Sequence, residues 1–186
     1  MRLLLACVVS ALVVLASPFM GRLQSLLRSS VSTRVYVLLL GGVVIGSIAV
    51  AIAAAFIRNR GHRTSRIAAM VAAIGLGVAY TTAMSTGDPT IDAVERVHFI
   101  EYGLIAVLFY RVWRRPSTPL GAALSNVEGR VGDVSTLVLP LLCGFIVGTL
   151  DEWLQWFIPY RVGEMHDVVL NLTALAGGVL FGIALE

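Results

Sequence analysis

The chain has no lysine; all 14 of its basic residues are arginine. Charge of either sign is scarce, at 13% of residues, where soluble domains carry about 25%. With 58% hydrophobic residues and a mean hydropathy of +0.87, water is not the main solvent of this protein. Its 186 residues leave room for one compact membrane domain and none for a second folded unit. Cysteine is nearly absent. Cys7 and Cys143 both fall inside apolar runs as packing residues, which excludes a disulfide framework or a cysteine-based metal site. "LLAC" at residues 4 to 7 is too close to the start for a lipoprotein cleavage box. A cleavable signal peptide is set aside because the later motifs read as a chain anchored from its start. Period-two alternation is missing too, which excludes a barrel of membrane strands. The arginines lie between apolar runs rather than clustered with aromatics, so nucleic acid is not an expected partner.

What the chain has is apolar length. A spanning helix needs about 20 apolar residues, and six runs qualify: 3–20, 35–57, 67–86, 97–113, 134–150 and 168–185. The expected fold is therefore all-α, a polytopic helical membrane protein with six transmembrane helices. The segments "RNRGHRTSR" (58–66) and "RVWRRP" (111–116) carry seven arginines and no acid, which places them in the cytoplasm. Six spans then put the N- and C-termini in the cytoplasm as well. The arginine-bearing segment 21–34 falls on the outer side, against that rule, and is expected to lie on the membrane surface as a short amphipathic helix. Glycine pairs one turn apart, Gly42/Gly46, Gly144/Gly148 and Gly178/Gly182, suit close helix packing. Residues 1–90 make an N-terminal three-helix region and 91–186 a second, together one membrane domain. Residues 116–133, rich in Pro, Ser and Gly, read as a cytoplasmic linker or surface loop.

The scarce charge gathers in "ERVHFIEYG" at the mouth of the fourth run and in "DEWLQWFIPYRVGEMHDVVLNL" between the fifth and sixth. Glu95, His98 and Tyr102 are spaced three and four apart and share a helix face, flanked by Arg96 and Glu101. Glu152 and Gln155 close the fifth helix, and Asp167 and Asn171 open the sixth. All three mouths face the outer side in the six-span arrangement. Ionisable groups at membrane depth face the protein interior or a wet cavity, so Arg96 and Arg161 are the expected counter-charges. Arg161 is expected to fold back onto Glu152, Asp167 or Glu95, with His98 bonded to one of those carboxylates. His62 and His166 are expected in solvent, and Trp153, Trp156, Tyr160 and Trp113 in interfacial belts.

These motifs resemble the VanZ-like family of small membrane proteins. The family pattern is an acid–base pair with His-Phe and an aromatic opening one helix, Glu and Gln ending the next, a Pro-x-Arg turn, and Asp with Asn opening the last. The matching positions are Glu95, Arg96, His98, Phe99, Tyr102, Glu152, Gln155, Pro159, Arg161, Asp167 and Asn171, and the likeness covers residues 92–183. The chain departs at Glu95-Arg96, where the family usually has Asp-Lys, and at Ala174, where it usually has Gly. The resemblance implies a four-helix core with one span before the His motif. Helices 35–57 and 67–86 are then additional, a surface for other membrane subunits.

Function follows less directly. The ten polar residues above form either a structural network or a site for an envelope component such as a lipid head group. No metal ligand set is visible, because only one histidine is well placed. No nucleophile elbow and no Ser or Cys beside a His is present, so the reading leans away from an enzyme, and no cofactor is expected. The leading expectation is a non-enzymatic protein of the bacterial cytoplasmic (inner) membrane, its outer polar mouth facing membrane lipids. The rival is an accessory scaffold subunit of a larger integral membrane complex.

Overall fold

The structure, a computed structural model, describes residues 1–58, 63–114, 132–157 and 165–185. Among these residues are six helices and no strand: α1 (Arg2–Ser30), α2 (Thr33–Arg58), α3 (Arg63–Ala83), α4 (Pro89–Arg114), α5 (Gly132–Gln155) and α6 (Met165–Ala184). The 116–133 connection, expected as a linker, lies almost wholly outside the described residues.

Five helices are long and apolar enough to cross a membrane: α1, α2, α3, α5 and α6. The fourth run expected from sequence does not meet that standard, because Glu101 and Arg111 interrupt it and Arg96 and Arg114 border it. The fold supplies the physical reason such a helix is tolerated. α4 packs against all five of the others, so its charges need not face lipid. Tyr102, Ile105, Ala106, Phe109 and Tyr110, three and four apart along α4, are all buried. They meet Ala174, Leu175 and Val179 of α6 and Ala6 of α1 in the main core cluster.

The segment 21–34 is not a separate surface helix. α1 runs unbroken through Gly21 to Ser30 over 29 residues, about 44 Å at roughly 1.5 Å per residue. A single internal glycine costs a helix only about 1 kcal/mol, too little to end it among helix-forming Leu, Gln and Arg. The helix stops at Val31, whose extended backbone still donates its N–H to the Leu27 carbonyl. Ser32 then caps α2 by accepting from the Val35 N–H at 3.5 Å.

Glycine governs the closest helix approach. At Gly178 a Cβ would lie 2.2 Å from the Gly103 carbonyl oxygen, so α4 and α6 touch backbone to backbone. Gly182 makes room for the Tyr110 ring, and Gly148 for Tyr102 and Asn171. The α2 pair behaves otherwise: Gly42 and Gly46 have nothing within 4 Å of where a side chain would sit. α2 is also strongly exposed at Leu38, Ile45 and Val50.

Candidate functional site

The turn between α3 and α4 is built by its own side chains. Asp88 precedes Pro89, a residue suited to the first helical position because it has no N–H to satisfy. The Asp88 carboxylate accepts from the Thr90 N–H at 2.7 Å and the Ile91 N–H at 3.4 Å, the work of an N-cap. These bonds, the Thr90 hydroxyl first, hold the Asp88 carboxyl below the usual carboxylate range. Asp92 reaches back to accept from the Thr86 N–H and hydroxyl, both at 2.9 Å, and from Ser85. Gly87 supplies the positive φ of 81° that the turn needs. Because α1 continues past its apolar run, Arg28 arrives here and donates to the Thr90 hydroxyl, with its guanidinium 6.0 Å from the Tyr36 ring centre.

A cleft of about 760 Å³ opens between this turn, the end of α1 and the first turns of α4 and α6. Its lining includes Gln24 and Arg28 of α1, Glu95 and His98 of α4, and His166 and Asp167 of α6. His166 Nδ1 lies 3.8 Å from Glu95 and 3.9 Å from Asp167, and the Tyr80 hydroxyl donates to the His166 carbonyl at 3.5 Å. His166, expected in solvent, is thus half-buried between two acids, because the first turn of α6 packs against α3 and α4.

Deeper in the bundle lies a second polar group. The Tyr102 hydroxyl and the Gln155 amide each donate to Asp151 Oδ2 at 2.9 Å. The Asn171 amide donates to Glu152 at 3.4 Å. All five side chains are buried, Tyr102 completely. Asp151 Oδ1 and Asn171 Oδ1 have no hydrogen-bond partner among the described residues. The ring of His98 sits 6.2 Å from that of Tyr102 and joins this group to the cleft.

Eight of the ten polar residues expected as a cluster therefore fall into two layers or beside them. Glu95, His98 and Asp167 line the cleft; Tyr102, Glu152, Gln155 and Asn171 lie below it; Glu101 is half-buried on α4. Arg96 departs from expectation. It is exposed on α4, where its charge acts on Asp92 and Glu95 from nearby on the same helix, because the face that carries Glu95 and His98 turns it outward. Arg161 and Pro159 lie outside the described residues. Asp151, Gln24, Arg28 and Thr90 were not anticipated. Trp153 and Trp156 are exposed at the end of α5, as a belt would be, and Tyr160 lies outside the described residues. Trp113 instead packs on the core, because it continues the buried stripe of Phe109 and Tyr110. Cys143 also packs there, whereas Cys7 is exposed. Among the described residues no three or more His, Cys, Asp or Glu side chains form a metal-holding group.

No curated protein and no solved structure matches the chain. The family model for VanZ/LLP1 matches residues 3–185. That span takes in α1 to α3 as well as the motif-bearing half, so helices 35–57 and 67–86 lie within the matched length. On a match across essentially its whole length, the chain belongs to the VanZ/LLP1 family.

Proposed function

We propose that this VanZ-family protein is a non-enzymatic, six-span protein of the bacterial inner membrane whose polar cleft recognises a lipid or envelope head group. One observation carries the reading: Glu95, His98 and Asp167 border an open cleft rather than a sealed core. A purely structural network would have been packed shut, as Tyr102, Asp151, Gln155, Glu152 and Asn171 are. We read that inner layer as the structural part, which pins α4, α5 and α6 together beneath the cleft. α4 serves as the sixth span, its charges screened by its neighbours, and both termini face the cytoplasm.

Extraction from native membranes in mild detergent, followed by native mass measurement, tests the proposal. The expected result is the chain carrying a lipid-sized adduct that Glu95→Gln or Arg28→Gln depletes. A second reading, a scaffold subunit, draws on the bare Gly42/Gly46 face of α2. Stoichiometric recovery with a large complex, without a lipid adduct, would favour it.

A further inference from the structure

Side chains of both signs line the cleft. Arg28 of α1 lines it together with Glu95 of α4 and Asp167 of α6. Arg28 spends one donor on Thr90, and a guanidinium has five in a fork that suits phosphate. Glu95 and Asp167 lie 3.8 and 3.9 Å from His166, and an ionised carboxylate accepts at about four lone-pair positions, so one that already has a partner can take another. Met84, Ile91, Val94 and Leu170 make the apolar part of the lining.

We propose that the head group taken here is zwitterionic, a phosphate ester bearing a primary amine, with the phosphate at Arg28 and the ammonium at Glu95 and Asp167. This rests on the head-group reading above and narrows it. The choice of a primary amine follows from what lines the cleft. Quaternary ammonium groups are recognised by aromatic cages, and no Phe, Tyr or Trp is among the described lining residues. A primary ammonium has three donors to direct at carboxylates. An anionic head group would satisfy Arg28 but set its uncharged remainder against two acids.

The test uses the full chain purified in a neutral detergent without lipid. Binding is titrated with short-chain phosphatidylethanolamine, phosphatidylcholine and phosphatidylglycerol, and with free phosphoethanolamine and inorganic phosphate. The amine-bearing lipid is expected to bind at least about tenfold more tightly than the other two. Glu95→Gln should weaken it about tenfold and leave phosphatidylglycerol unchanged, whereas Arg28→Gln should weaken all the phospholipids. Asp167→Asn gives the same readout as Glu95→Gln if the latter does not fold. Free phosphoethanolamine binding as tightly as the lipid supports the same chemistry and makes a soluble compound its source. Phosphatidylglycerol or inorganic phosphate binding as well as the amine-bearing lipid overturns the zwitterion while leaving a head-group cleft intact. Binding of every lipid unmoved by Arg28→Gln, Glu95→Gln and Asp167→Asn, or no saturable binding at all, overturns both.

Discussion

Tyr102 is the residue on which the inner layer turns. Its hydroxyl donates to a buried carboxylate at 2.9 Å, and hydrogen bonds to charged groups contribute about 1.5–3 kcal/mol. Tyr102→Phe is expected to lower thermal stability in detergent by about that amount, whereas Arg96→Gln, at an exposed site, stays within about 0.5 kcal/mol of the parent. Asp88 gives a pH signature. Its folded carboxyl sits below its ordinary value of 3.8, so its contribution is complete above about pH 5 and fades as pH falls through the folded value. The stability gap between the parent and Asp88→Ala is therefore constant near neutrality and closes only in acid; a gap that closes above about pH 5 would contradict the capping role. Much of this layer was legible in sequence, because Tyr102 shares a helix face with Glu95 and His98, and Glu152, Gln155 and Asn171 lie near helix ends with polar residues about one turn apart. Pairing was less so. In sequence, Glu152 and Gln155 read together as closing the fifth helix, while the Gln155 bond goes to Asp151, four residues back. Arg28 and Thr90 were invisible because 62 residues separate them and only the length of α1 brings them together.

Among the elements, the contact of α4 with α6 is the tightest constraint. A methyl at Gly178 would meet a backbone oxygen, which cannot swing away as a side chain can. Gly178→Ala is expected to destabilise by about 1–3 kcal/mol through overpacking. Gly42→Ala should be neutral or gain up to about 1 kcal/mol of helix propensity, since open space lies beyond it. Melting curves of the two variants in one detergent decide this, and equal losses would show that the glycines of α2 also pack. Apolar length revealed every helix, because burial in lipid or protein demands it. Helix ends were another matter. Hydropathy falls after Met20, but hydrogen bonding along the backbone does not depend on hydropathy, so α1 continues for ten more residues. The 3-to-4 spacing in α4 marked its polar face without revealing that five neighbours would enclose it.

For the whole molecule, six spans with cytoplasmic termini make a labelling prediction. In a variant lacking Cys7 and Cys143, a cysteine at position 62 should be closed to an impermeant reagent from outside, and cysteines at 86 and 163 open to it; the reverse pattern would overturn the orientation. The central place of α4 also bears on how the chain enters the membrane. On the six-span reading, α4 leaves the ribosome before α5 and α6 exist. Its charged residues then have lipid as the alternative to protein, and each charge near the middle of a lone inserting helix costs about 2.5–3.5 kcal/mol. Nascent α4 is therefore expected to be held at the translocon, settling only when α6 arrives to close over Gly103. A chain released before residue 165 would leave its fourth segment stranded at the bilayer surface, a substrate for the quality-control proteases of the membrane.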